Sequence, residues 1–570
     1  MTRYLMTSCA TLAVTLVLCA PLSAQSIAGP YLAARQAAML SDFSKASEYY
    51  TRALARDPSN VDLIESALVA HLSLGQVDRA LPIAKVLAST DQKSQVAQMV
   101  LTADMVARED YEALLGLETR TAEKGIGPLV DGLIQAWAQM GIGKASDALA
   151  KFDTVSSEPG LRSFAMFHKV LALAMVGDFE GAEALFEDEQ TGLVMTRRGA
   201  MARAEILSQL DRNDDALQML SDAFAGATDP ELDALVAALE TGEQLPFSHV
   251  TTAQEGLAEV FYSIAAALQT EAGPEYTLLY AQVAWYLRPD HIDALLLGAE
   301  LLETLGQYDL AIAAYKKVPQ TDVAYHVAEL GRAAALRRSD RADAAIEVLE
   351  QLTRSHGQMA VVHSSLGDAL RQEDRFDEAV VAYDTALSLT DEGARSQWFL
   401  LYARGIAHDR LGEWDKSEAD FRAALERNPD QPQVLNYLGY SLVEQQVKLD
   451  EALSMIERAA SASPNSGYII DSLGWVLFRL GRYQDAVAHM ERAVELMAVD
   501  PIVNDHLGDV YYAVGRLREA EFQWARALSF VDEDEVDGEA DPDRIRQKLK
   551  VGLSKVLEAE GAPPLKIATD

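Results

Sequence analysis

LGWVLFRLGRYQDAVAHMERAVEL, Leu473 to Leu496, is one copy of a phrase that the chain writes four times between Trp398 and Phe530. Set as units 398–431, 432–466, 467–500 and 501–534, the copies put Gly405, Gly439, Gly474 and Gly508 at the eighth position, each after Leu or, once, after Arg404. The period is 34 residues. Further along each unit a small residue recurs as Ser417, Ala452, Ala486 and Ala520, with Ala452 one place late. A bulky one follows as Phe421, Ile456, Met490 and Trp524, then a second small one as Ala424, Ala459, Ala493 and Ala527. Two antiparallel helices that cross closely need Gly or Ala at the contact and large apolar plugs around it, so each unit is a helical hairpin. Pro429 and Pro464 close two second helices, because proline cannot continue a helix. Gly412, Gly481 and Gly515 stand where first helices must stop.

This spacing and residue set resembles the tetratricopeptide repeat, and the quoted stretch fits that family's pattern almost throughout. The resemblance implies an all-α fold, an α-solenoid or superhelix of about 12–14 tetratricopeptide-type hairpins. Its first helices would line an inner groove that accepts an extended peptide or a partner's helix. In the family the groove is lined by unit positions 2, 5, 9 and 12, which here give Tyr402, Asn436, Tyr440, Tyr468, Asp471, Trp475, Phe478, Asp505, Asp509 and Tyr512. Aromatics there bring large contact area at low entropy cost, and Asn or Asp takes up backbone or basic groups; plugging the core is the alternative role for each aromatic. Family members that hold a chaperone's terminal carboxylate use Lys and Arg at these positions, so the aspartates here disfavour that ligand. From VLNYLGYSLVEQ (Val434–Gln445) to His506–Leu528 the chain is also similar to exported bacterial tetratricopeptide proteins. Some of those are outer-membrane lipoproteins that act as adaptors for periplasmic carboxyl-terminal processing proteases and deliver cell-wall hydrolases to them. The similarity implies protein partners, among them an envelope protease and its substrates.

Outside this array the reading is coarser. Residues 1–24 read as a signal peptide: Arg3 starts it, Ala10–Ala20 is too short to span a bilayer, and small residues precede a cut after Ala24. The expectation is export to the periplasm. Cys9 and Cys19, the only two cysteines, lie inside this segment, and Leu18 stands where a lipoprotein signal wants a small residue before Cys19. Residues 25–230 read as divergent repeats, with SKASEYYTRALARDP (Ser44–Pro58) and GDFEGAEALF (Gly177–Phe186) the clearest copies. An irregular connector is expected over 231–252, around Gly242 and Pro246. The array then runs over 253–531, best from 360, followed by an acidic linker at 532–543 in which eight of twelve residues are Asp or Glu. A capping helix over 544–560 would place Ile545, Leu549, Leu553 and Val556 inward and Arg544, Arg546, Lys548, Lys550 and Lys555 outward, ahead of a tail at 561–570.

The 570 residues hold 49 Lys and Arg against 87 Asp and Glu, a net charge of −38, which repels phosphate backbones and anionic lipids. Nucleic acid and direct binding to an anionic membrane are therefore not expected. Nor is catalysis: the ten histidines show no i, i+4 pair, there is no Gly-x-Ser-x-Gly elbow, and GIGK (Gly141–Lys144) lacks the rest of a phosphate loop. No cofactor or metal is implied. A non-catalytic scaffold or adaptor of the cell envelope is the leading reading. A protein that binds cell-wall glycan through its aromatics is the alternative, and a hydrolase hidden in the divergent repeats is a third.

Overall fold

The computed structural model describes residues 27–90, 92–120, 125–158, 160–224, 229–391, 393–531, 540–562 and 564–565. The signal segment with both cysteines, most of the acidic linker and the end of the tail lie outside them. The described residues form 31 α-helices, one short 3-10 helix and no strand, in two compact units that meet in sequence at Ala345 and Ile346. The fold is all-α and of the tetratricopeptide type, with eight hairpins in the first unit and five in the second.

In the second unit the repeated glycines do what the spacing requires. A Cβ placed on Gly405, Gly439, Gly474 or Gly508 would come within 2.8, 2.7, 2.4 and 2.4 Å of Phe421, Ile456, Met490 and Trp524, respectively, each in the same hairpin. Each plug thus presses on bare backbone, and all four are buried. Gly481 ends its helix at φ 75°, a left-handed turn that a side chain would strain.

The expected cap departs from its outline. It consists of two helices, Pro542–Val551 and Leu553–Ala559, broken at Gly552. Ile545, Leu553 and Val556 are buried as the stripe demands. Lys548, expected on the outer face, is wholly buried, and its Nζ donates to Asp505 and Asp509 at 2.7 and 2.8 Å. Position 548 follows 545 by three residues and so shares its face; the two carboxylates make the burial of a cation tolerable.

The first unit is more than a stack. Helix Ala253–Leu268 is buried nearly all round, which a helix tolerates only in a core. It packs on Gln95–Ala107, Pro128–Gly141 and Arg162–Met175, while its partner Pro274–Leu287 packs on Val61–Ser73 and Gln95–Ala107. The inner side of the amino-terminal hairpins is therefore filled by a later hairpin of the same chain. Gly256 lets Trp137 approach, a Cβ there falling 2.3 Å from the indole. Trp137 Nε1 donates to His168 Nδ1 at 3.2 Å, leaving His168 Nε2 to donate to Ser263 Oγ at 3.2 Å. Gln282 Nε2 donates to the Ser73 carbonyl at 3.1 Å, and Ser41 Oγ to Glu275 at 2.6 Å.

The expected connector over 231–252 is also corrected. Pro230–Glu240 is a helix, started by Asp229, whose carboxylate accepts from the Glu231 and Leu232 amides, and buried through Leu232 and Leu239. Only 241–252 is irregular, and it is pinned: Leu245 N–H donates to Ser208 Oγ at 2.8 Å, and Ser248 donates twice to Glu205.

Candidate functional site

The ten residues expected in the groove divide by environment. Asn436, Tyr440, Tyr468 and Asp471 line one hollow of about 440 Å³ in the second unit, together with Arg410 and Glu444. Tyr468 is 47% exposed and Asn436 only 8%, and Asn436 Oδ1 has no hydrogen-bond partner among the described residues. Trp475 borders this region, its Nε1 donating to Glu444 at 3.3 Å. It stacks on Phe478 at 5.0 Å and on His506 at 3.9 Å, with planes 16° and 13° apart. Phe478 is the buried member of that stack.

Tyr402 and Tyr512 sit differently. Tyr402 lies half-buried against Phe421 and Tyr437, at 6.0 and 6.2 Å, as a plug of the core. Tyr512 rests on Trp524 at 5.7 Å beside Gly552 of the cap. Asp505 and Asp509 are closed off beneath the cap by Lys548, and Asp509 Oδ1 also accepts from Trp524 Nε1 at 2.8 Å. Burial pushes the Asp509 carboxyl upward against the pull of the Lys548 ammonium. Asp471 is turned to His506, whose Nδ1 donates to it at 3.0 Å. Burial opposes the charge on His506, but the Asp471 carboxylate outweighs it, with Asp505 and Asp509 adding to it, and holds the imidazole above its usual value.

A larger cavity, about 730 Å³, opens in the first unit, where the repeat signal is faintest. It is walled by leading helices: Arg162–Met175, Arg197–Gln209, Ala253–Leu268, Ile292–Thr304 and the start of Tyr325–Arg338. Phe164, Phe167, Leu296 and Val327 make apolar walls. The floor is ionic. Arg198 forks onto Glu259, with Nε and Nη2 at 2.9 and 2.7 Å, and reaches Asp293 through Nη1 at 2.5 Å. Arg197 forks onto Asp229 at 2.5 and 3.1 Å and donates to Glu231 at 2.5 Å. Tyr262 lies under the Arg198 guanidinium at 5.2 Å.

Glu259 is buried, which works against its charge, yet Arg198 and the His291 hydrogen bond at 3.2 Å hold its carboxyl well below the usual range. His291 Nδ1 accepts from the Ala294 amide at 3.3 Å, so Nε2 carries the proton given to Glu259, and burial keeps the ring's affinity for a second proton low. Sequence reasoning missed this site. Its one local signal is Arg197-Arg198 in the first turn of a helix, where the macrodipole disfavours cations and carboxylate partners are called for.

Among the described residues no three His, Cys, Asp or Glu side chains are grouped to hold a metal ion, and no helix is long and apolar enough to cross a membrane.

The tetratricopeptide repeat family pattern matches residues 31–95, 330–395, 402–467 and 472–534. A TPR repeat-containing protein of Pseudomonas aeruginosa is 28% identical over 160 residues, 28% of this chain and 26% of that relative, so the chain spans about a quarter of the relative's length. Among solved structures, the crystal structure of the APC/C hetero-tetramer Cut9-Hcn1 aligns with 95% of this chain and 98% of its own at 14% identity and a TM-score of 0.39. A tetratricopeptide repeat protein from Parabacteroides merdae aligns with 45% of this chain and 97% of its own at 17% identity and a TM-score of 0.37.

Proposed function

From a chain that carries tetratricopeptide repeats in both of its units, we propose a non-catalytic scaffold that is exported to the bacterial periplasm and holds partner polypeptides on the inner faces of its leading helices. One observation carries the reading. In the hollow of the second unit a nearly buried amide, Asn436, has an oxygen with no partner, set beside the ring of Tyr440 and the exposed ring of Tyr468. A buried polar atom without a partner costs about 1–3 kcal/mol, and a peptide N–H laid along the hollow relieves that cost while the rings cover the peptide's apolar side chains. Arg410 and Glu444 at its edges offer both signs of charge for selecting a sequence. Within this reading the partners are envelope proteins, and an adaptor that brings substrates to a periplasmic processing protease fits two hollows on one chain. Binding of cell-wall glycan by the same rings is the competing use, and sedimentation with peptidoglycan separates the two.

The test is photocrosslinking in intact cells with benzoylphenylalanine at Tyr468, and at Phe522, an exposed ring on a second helix, as the control. Polypeptide adducts at Tyr468 alone, lost on Asn436→Leu, are the expected result, with a mature amino terminus at Gln25. Adducts at neither position, or sedimentation with purified peptidoglycan that Asn436→Leu abolishes, would overturn it.

A further inference from the structure

We propose that the cavity of the first unit is a second, separate binding site, and that it takes a short apolar stretch of polypeptide bearing one lysine or arginine. The inference rests on the reading of the chain as a polypeptide-binding scaffold and adds the chemistry of a ligand to it. The volume, about 730 Å³, lies within the roughly 300–1,000 Å³ of ordinary ligand sites. Its mouth is apolar and open, with Val194, Val323 and Val327 exposed by 69, 42 and 40%. Residues of that type left in water at the rim of a concave site mark a surface that is covered in use.

The charge on the floor selects the polar group of the ligand. Two guanidiniums, Arg197 and Arg198, face four carboxylates, Asp229, Glu231, Glu259 and Asp293. Both arginines are already engaged by these carboxylates, in forked pairs with Asp229 and Glu259, and are poorly placed to receive an anion. Glu259 is saturated by Arg198 and His291. The negative excess therefore falls on Glu231, 40% exposed and bonded to Arg197 alone, and on Asp293, 25% exposed, bonded to Arg198 and 3.6 Å from Arg197. The amino ends of helices Arg197–Gln209 and Ile292–Thr304 border the cavity too, Thr196 accepting from the Gly199 amide and His291 from the Ala294 amide. A carboxylate entering this site would meet four like charges, with both guanidiniums already engaged. Arg197 reaches both Glu231 and Asp293, and an ammonium or guanidinium on their lumen side, with its aliphatic stem along Leu296 and Val327, offsets the remaining negative charge.

The full mature chain would be titrated calorimetrically with a blocked heptapeptide, acetyl-Ala-Leu-Val-Lys-Val-Leu-Ala-amide, and with the same peptide carrying norleucine or glutamate in place of lysine. The lysine peptide is expected to bind at least about tenfold more tightly than the norleucine one, with no heat from the glutamate one. Glu231→Gln with Asp293→Asn is expected to bring the lysine peptide down to the norleucine level, and retained norleucine binding reports that the variant is folded. Val323→Asp, at an exposed wall position, is expected to weaken both. Equal binding of all three peptides, preference for glutamate, or no binding of the lysine peptide would overturn the proposal. Any of these outcomes alongside persisting adducts at Tyr468 would remove this site and leave the scaffold reading intact.

Discussion

Gly474 and Gly508 hold the same place in successive hairpins but face different plugs. A methyl at Gly508 meets Trp524 Cδ1 at 2.4 Å and Nε1 at 2.5 Å, and the indole is held in place by its bond to Asp509. At Gly474 the nearest atoms are Met490 Sδ and Cγ, at 2.4 and 2.6 Å, on a side chain with three free torsions. Gly508→Ala is expected to cost about 2–3 kcal/mol and Gly474→Ala about 1 kcal/mol in urea unfolding, and equal losses would show that plug flexibility is irrelevant. The sign reverses at Glu109, which sits at φ 55° where neighbouring hairpins place Gly75 and Gly143. Left-handed backbone costs a residue with a Cβ about 1–2 kcal/mol, while a new glycine adds roughly 0.4–1 kcal/mol of freedom to the unfolded chain. Glu109→Gly therefore gains up to about 1.6 kcal/mol, read as a rise in melting temperature, and a fall would refute the argument. These pairs were legible in the sequence because a fixed period carries them, Gly with plug, in every copy.

Among elements, the cap tests how a buried charge organises packing. Lys548 donates to both Asp505 and Asp509, and its removal leaves two buried carboxylates under Pro542–Val551 without that bond. Lys548→Met is expected to cost about 3–5 kcal/mol of local stability, seen as fast amide exchange throughout 542–559. Adding Asp505→Leu and Asp509→Asn restores protection if the unpaired charge is the cause, and fails to if the lysine stem matters more. Helix stops in the array were legible, because Gly and Pro act within a turn of their own position, as at Gly412, Gly481 and Pro464. Burial of Lys548 was not, since it depends on two aspartates some forty residues away. The short helix Pro230–Glu240 offered too few turns for a period to emerge beside Gly242 and Pro246. Hairpin 253–287 falls where the array was expected to resume, but its partners were invisible: Gly256 against Trp137, and Gln282 against Ser73, join segments that share no local pattern. The ionic cavity was hidden for the same reason, its floor being assembled from the starts of three helices and the middle of a fourth. Of the ten groove positions, the sequence placed Asn436, Tyr440, Tyr468 and Asp471 together but did not reveal that the cap claims Asp505 and Asp509.

Across the whole molecule the buried histidines of the two units are expected to make stability respond to pH in opposite senses. In the first, His168 is fully enclosed, and burial lowers its value from 6.5 to about 4, with Glu259 only partly opposing; His291 is lowered too, again chiefly by burial. The unfolded chain then binds protons between those values that the folded unit refuses, so stability is full above about 6.5 and falls as pH drops toward 4. A shift of that size is worth about 3 kcal/mol at His168 across the window. In the second unit His506 is raised by Asp471, so the folded state holds a proton that the unfolded chain has released. That contribution is complete below the unfolded value and is lost as pH rises through the folded one. Amide exchange followed from pH 5 to 8, corrected for intrinsic rates, is expected to show helices 162–175 and 253–268 better protected toward pH 8, and helices 467–479 and 501–513 better protected toward pH 5. His168→Leu, which also gives up two hydrogen bonds, lowers protection at every pH but flattens the first slope, and His506→Asn flattens the second. Parallel slopes in the two units, or slopes that survive these substitutions, would mean that other groups govern the response.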